Sequence, residues 1–250
     1  MTEILGAIHV HSSFSHDGRD SIAQISAWAR AAGLSFVTIT DHAEDFDRST
    51  FEQLQAECAK HSDEHLALLA GLEFRFVGHP GFHLLACGLS QWIEPTTPED
   101  FLRLARVHAN LLIAAHPVIW RNSYPSSLLK QFDAIEVWNA VYNTRFLPDP
   151  GALRLLRSLR REGASTRAIV GLDQHDRTND RGIRVAISAT EVDPLAAIRG
   201  GRYSNIGVSM RFGPHAAWSP LRQIALEFAR GVFDVVESLQ DRIARRKLKK

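Results

Sequence analysis

Cysteine is nearly missing from this chain. Its two residues of that type, Cys58 and Cys87, are too few and too far apart for a disulfide framework or a cysteine-built metal site. Net charge is nearly missing too: Lys+Arg of 29 against Asp+Glu of 28 leaves +1, so no overall field selects nucleic acid or a membrane surface. No apolar run approaches the roughly 20 residues that a membrane span needs. The first candidate functional residue, His9, comes too early to leave room for a secretion signal, so a cytoplasmic protein is expected. Neither GxGxxG nor GxxxxGK[ST] occurs, which argues against dinucleotide or P-loop chemistry. Repeats, low-complexity segments and linkers are also lacking. A chain of 250 residues that is 45% hydrophobic can bury one sizeable core, so a single domain over 1–250 is expected. Its end, a helix and basic tail over about 219–250 closing with Arg242–Lys250, reads as solvated, with a weak phosphate or partner contact as the functional alternative.

What the sequence does contain is alternation. Strand-like segments at Ile4–Val10, Ser35–Thr40, Leu66–Phe76, His83–Leu89, Leu111–Ala115, Ala134–Asn139 and Ala168–Leu172 are largely interleaved with helical ones. The helices are expected around Ser21–Ala32, Ser49–His61, Thr97–Ala109, Pro125–Phe132 and Asp149–Gly163. Late strands are expected at Arg184–Thr190 and Tyr203–Ser209. Repeated strand–helix alternation argues for a parallel sheet, and continuous apolar strands argue that both its faces are covered.

Histidine and carboxylate concentrate where these strands end. His9-Val10-His11 closes the first, with Asp17 just beyond, and Asp41-His42 closes the second. Glu73 follows Leu68–Leu72, His83 opens the next run, His116 follows Leu111–Ala115, and Asp173-Gln174-His175 follows Ala168–Leu172. Side chains two apart on a strand share a face, so His9 with His11, and Asp173 with His175, can converge. Imidazole and carboxylate suit zinc, iron or manganese, and a carboxylate can bridge two ions. A lone strand-end histidine is more often a hydrogen-bonded polar residue; the recurrence at successive ends points to a multinuclear metal site. His61, His65 and His108 fall in or beside helical stretches and read as surface residues. A closed α/β barrel, in which the C-terminal ends of all strands share one mouth, explains the placement better than an open doubly wound sheet.

The ordered set His9-Val10-His11-Ser12, Ser15-His16-Asp17-Gly18, Thr40-Asp41-His42, Gly71-Leu72-Glu73, His83-Leu84-Leu85, Ala115-His116-Pro117, Ile135-Glu136-Val137-Trp138-Asn139 and Gly171-Leu172-Asp173-Gln174-His175 resembles the polymerase and histidinol phosphatase (PHP) family. Each motif alone is weak; their order over Ile4 to Tyr203 is specific. The resemblance implies a distorted (β/α)7 barrel with a metal site at the C-terminal ends of the strands, holding two to three divalent transition-metal ions (Zn, Mn or Fe). It places His9, His11, Glu73 and Asp173 on a first ion. Glu73 would bridge to a second that also takes His83 and His116, and Asp17, His42 and His175 would hold a third. One extra residue before Asp17 leaves His16 as its rival, and His79 rivals His83.

Asp41 and Glu136 are candidates to orient ligating histidines, and Glu136 alternatively to touch substrate. Arg177, and less strongly Arg19, Arg121 and Arg145, are candidates to clamp an anionic substrate. His175 or Asp41 would assist proton transfer, and Trp120, Tyr124, Trp138 and Tyr142 are either core or stacking surfaces. The expected activity is hydrolysis of a small phosphomonoester or phosphodiester, a nucleotide among them, by a metal-activated water. The alternatives are a single-strand 3'-5' exonuclease, disfavoured by the near-neutral charge, and a carboxylic or carbamate ester hydrolase. Oligomeric state is not legible.

Overall fold

A computed structural model describes residues 2–119, 124–216, 218–219 and 221–233. Trp120, Arg121 and the basic run Arg242–Lys250 lie outside the described residues. Residues to 216 form one compact unit, which carries all nine candidate metal ligands. Beyond it, residues 221–233 are helical. No described helix is long and apolar enough to cross a membrane.

The first unit is α/β, built on one curled sheet. Its strands are β1 (Glu3–Val10), β2 (Leu34–His42), β3 (Ala67–Phe76), β4 (His79–Leu89), β5 (Ala109–Ala114), β6 (Ala134–Asn139), β7 (Arg167–Gly171), β8 (Arg184–Ser188), β9 (Tyr203–Ile206) and β10 (Arg211–Phe212). They lie in the order β10-β9-β8-β1-β2-β3-β4-β5-β6-β7. The sheet curls far enough that the Leu172 N–H donates to Ile8 O at 2.8 Å, and the His11 N–H to Gln174 O at 2.8 Å. The segment after β7 therefore meets the end of β1, and that junction is where the site forms.

The sheet is mixed rather than parallel, which corrects the expectation from alternation. β1–β2, β2–β3, β5–β6 and β6–β7 pair parallel, whereas β4 runs antiparallel to both neighbours, and β8, β9 and β10 pair antiparallel. The cause is loop length. Only Val77-Gly78 separates β3 from β4, with Gly78 at φ +85°, and two residues close a hairpin but cannot carry a crossover. The expected strand Tyr203–Ser209 likewise stops at Ile206, because the Gly207 N–H donates back to Met210 O at 2.9 Å and the chain reverses into β10.

The helices are α1 (Ile22–Ala31), α2 (Arg48–His61), α3 (Pro98–His108), α4 (Ser126–Leu129), α5 (Pro150–Arg161) and α6 (Pro194–Arg199), with α4 shorter than its sequence pattern implies. Each long helix buries one stripe, as Ile22, Ile25 and Ala29 do in α1, and Leu153, Leu156 and Leu159 in α5. The sheet core holds Phe36, Phe51, Phe101, Phe132 and Trp138, all fully buried. Trp138 is thus core, its indole N–H donating to Thr144 O at 2.7 Å.

Candidate metal centre

Ordinary strand pairing places His42 and Glu73; departures from it place His9, His116 and Asp173. Between Ala7 and Val10 the register of β1 against β2 advances three residues against two, an inserted residue, and His9 sits there at φ +67°. His116 (φ +29°) and Asp173 (φ +51°) also adopt the left-handed region at their strand ends. Such backbone costs of order 1–3 kcal/mol for a non-glycine residue and persists where the surroundings fix it. In β6, Glu136 and Trp138 pair with the adjacent residues Ile169 and Val170, another inserted residue. Strict alternation would turn Glu136 and Asn139 to opposite faces; across the bulge, the Asn139 amide donates to Glu136 at 3.0 Å.

The nine expected side chains come together in three groups: His11, Asp17, His42 and His175; His9, His11, Glu73 and Asp173; and Glu73, His83 and His116. Within each group the ligand-competent atoms all lie within 4.8 Å of one another. Glu73 joins two groups by dividing its oxygens. Oε1 faces His83 Nδ1 (2.6 Å) and His116 Nε2 (3.8 Å), and Oε2 faces His9 Nε2 (3.3 Å), His11 Nε2 (3.3 Å) and His42 Nδ1 (3.4 Å). Asp17 Oδ2 lies 3.1 Å from both His42 Nε2 and His175 Nε2. His83 reaches this point because β4 runs antiparallel, so the start of β4 lies at the same end of the sheet as the finish of β3.

The family model of the PHP domain matches residues 7–135, more than half of the chain. The chain belongs to the PHP family. The matched segment contains seven of the nine side chains and stops before Asp173 and His175. Two solved structures share the fold. One is a two-domain Bacteroides vulgatus protein containing a predicted PHP-like metal-dependent phosphoesterase (TM-score 0.60, 19% identity, 82% of this chain and 65% of that one). The other is PsfC from Pseudomonas syringae (TM-score 0.58, 16% identity, 93% of this chain and 100% of that one). The chain therefore spans about two thirds of the Bacteroides protein's length. No curated protein sequence matches.

The side chains of this PHP site fit metal ions by their own chemistry. His11 Nδ1 and Nε2, Asp17 Oδ1, His42 Nδ1 and His116 Nδ1 are buried without a hydrogen-bond partner, an arrangement that is costly unless something else satisfies them. Tautomers point the same way. His9 Nδ1 bonds Glu136 at 2.7 Å and His175 Nδ1 bonds the Asp173 carbonyl at 2.9 Å. His175 is lowered and neutral, so donation through Nδ1 turns its Nε2 lone pair towards Asp17 Oδ2 at 3.1 Å, and two acceptors face each other with room for a cation between them.

Electrostatics divides the PHP site. Burial opposes charge on His9, His11 and His116, but the surrounding carboxylates outweigh it, raising all three and His11 to about 9. Glu73 and Asp173 are held well below the usual carboxylate range; burial opposes this, and the facing histidines outweigh it. His42 falls to about 4 because burial, seconded by the repulsion of His11, outweighs the pull of Glu73. His175 is lowered by burial and by His11.

Several expected roles change. His16 pairs with the Asp45 carboxylate at 2.7 Å and its side chain is 56% exposed, while its rival Asp17 joins the cluster. His79 stacks on Phe82 at 4.8 Å, outside the groups that include His83. Glu136 bonds His9 and accepts the His116 backbone N–H at 3.0 Å, so it holds one ring and one strand end of the site. Asp41 accepts from the Ser12 N–H and hydroxyl (both 2.6 Å) and the Ser15 hydroxyl (2.8 Å); it ties a loop and does not orient a histidine ring. Arg177 ion-pairs with Asp20, Arg19 lies 3.4 Å from Asp176, and Arg145 sits over the Phe146 ring. His65 is exposed, and His61 and His108 also stand apart from the three groups.

Sequence reasoning missed the supports. Thr38 accepts the His9 N–H at 3.0 Å, Tyr124 accepts the His83 N–H at 2.7 Å, and Asn139 donates to Asp173 at 3.2 Å. Tyr142 lies edge-on to His116 with ring centroids 5.0 Å apart, its phenol pushed up to about 12 by burial and the nearby Asp173. Gly171 leaves the space Glu136 fills: a Cβ there would sit 1.9 Å from Oε1. Only this last has a sequence signal, a glycine inside an apolar strand.

Proposed function

We propose that the chain is a metal-dependent hydrolase of phosphate esters, acting on a phosphomonoester or small phosphodiester, a nucleotide among them. We further propose that the site lies at the mouth of a distorted (β/α)7-type barrel and takes two to three divalent ions, Zn, Mn or Fe. The observation that carries this reading is Glu73, whose two oxygens face separate histidine sets and join them into one donor array. His9, His11, Glu73 and Asp173 would hold one ion, Glu73, His83 and His116 a second, and Asp17, His42 and His175 a third. Bound there, such ions lower the pKa of water and neutralise phosphoryl charge.

The chain's own residues supply position and access. Glu136 fixes the His9 tautomer and anchors the His116 backbone. Asp17 and His175, with side chains 36% and 30% exposed, form the open edge where a substrate arrives. Without an ion, His175 Nε2 and Asp17 Oδ2 face each other across 3.1 Å as two proton acceptors, the pair we assign to proton transfer in place of Asp41. Tyr142 stays protonated at neutral pH and can donate to a phosphoryl oxygen.

A substrate panel tests the class: p-nitrophenyl phosphate, its bis-ester, a nucleoside monophosphate, single-stranded DNA and an aryl acetate, each with chelated protein and with Zn, Mn or Fe(II) restored. Metal-dependent turnover of a phosphate ester is expected. Turnover of the aryl acetate alone, or of no phosphate ester under any metal, would overturn the reading.

A further inference from the structure

Two loops carry Asp17 and His175 of the outer group, and they are fastened to each other beside these side chains. The first, after β1, bears Asp17; the second, after β7, bears His175. Near Asp17 the Arg19 N–H donates to His175 O at 2.9 Å, and the Ser13 N–H closes the loop on Asp20 O at 2.8 Å. Gly18 makes the turn possible, since a Cβ there would meet Ser12 O at 1.9 Å. Arg19 lies 3.4 Å from Asp176 across the two loops, and the buried side-chain fastening is Asp20. One of its oxygens accepts the Arg177 backbone N–H at 2.6 Å and the other pairs with the Arg177 guanidinium. The Asp20 side chain is 6% exposed and the Arg177 side chain 40%.

We infer that Asp20 and Arg177 form a clamp that positions Asp17 and His175 for the outermost metal ion, so that Arg177 acts through the loops and not on substrate. The inference rests on the metal reading above. The reason is chain geometry. Asp17 lies three residues before Asp20, and His175 two before Arg177, so the pair fixes the separation of the two loop side chains whose facing atoms stand 3.1 Å apart. The inner groups have no such need: Glu73 is held in the β3 ladders, and the His9 and His83 backbone N–H groups are fixed by Thr38 and Tyr124. A partly exposed ion pair contributes little to global stability. Breaking it therefore loosens the outer group without unfolding the chain.

The test is a double-mutant cycle on the full chain with Asp20→Asn, Arg177→Gln and both, reading the Mn(II) dissociation constants of each bound ion, KM for p-nitrophenyl phosphate and the melting temperature. Each single change should weaken the weakest-bound Mn(II) about 10- to 100-fold, the range for partners that orient ligands. The double change should be no worse than either single one, with the tighter ions and melting temperature unmoved. Arg177→Gln raising KM with every ion retained, while Asp20→Asn changes neither, would return Arg177 to substrate binding and overturn the clamp. Wild-type protein binding tight ions but no weaker one would overturn the clamp alone. Wild-type protein binding no Mn(II) at all would overturn the metal reading and the clamp with it.

Discussion

The inner and outer halves of the centre are built from the same residue types in opposite ways. The inner half, His9, His11, Glu73, His83, His116 and Asp173, is buried on or immediately beside the strands, and its carboxylates pull His9, His11 and His116 towards protonation. In the outer half His42 is buried at the end of β2, but Asp17 and His175 stand on loops, a third or so exposed, and both histidines are lowered. The contrast assigns the inner half to tight holding and the outer half to exchange with substrate and solvent. A buried, preorganised donor set loses little freedom on binding, whereas loop-borne donors must be ordered.

The largest expected effect comes from the inner bridge. Glu73→Gln disturbs two groups at once and should lower kcat/KM on a phosphate ester more than about 100-fold, beyond the range of substitutions that only orient ligands. Two ions should be lost by elemental analysis. If Asp41→Asn, which touches only Ser12 and Ser15, proves more damaging, the bridge is misassigned.

Acidity should separate the halves next. His11 keeps its proton up to about pH 9 in the metal-free protein, and a ligand must lose its proton to bind. Inner-site affinity should therefore rise at least about tenfold per pH unit from pH 7 to 9, tenfold for His11 alone and more for the raised His9, with proton release on binding. His42, lowered to about 4, is already neutral there, so outer-site affinity should be nearly flat. Titration calorimetry in buffers of different ionisation enthalpy reads both; equal slopes would erase the distinction.

Glu136→Gln removes the partner of His9 and should cost about 10- to 100-fold in inner-site affinity. Asp17→Asn should cost about tenfold in kcat/KM and only the weakest ion. Deleting Arg245–Lys250 should leave turnover of a small ester unchanged; loss of processive, salt-sensitive DNA degradation on deletion would instead favour the nuclease.

Most of the inner half was legible because ligand chemistry leaves few residue choices: His9, Glu73 and Asp173 are polar where their strands are apolar. Its supports were not. Thr38, Tyr124 and Asn139 look like ordinary strand or loop residues, and only the bulge in β6 turns Asn139 beside Glu136. Strand directions were misread because alternation counts elements and not the length of the link between them, so the hairpin at Val77-Gly78 passed for part of a parallel run. Arg177 read as a clamp for an anion since a loop arginine near a site offers a fork; its partner Asp20 belongs to a distant part of the chain. Register and loop pairing are long-range properties, and a single sequence shows them weakly.

The central claim is that the nine side chains form one multinuclear centre with a tight inner and a labile outer part. Metal content of protein purified without chelator, followed through stepwise dialysis against EDTA, tests it most directly. The account predicts two to three transition-metal ions per chain, the outermost leaving first and the inner ions together, with no metal left in Glu73→Gln after the first step. Less than one ion per chain, with no activity gained from added Zn, Mn or Fe(II), would contradict it.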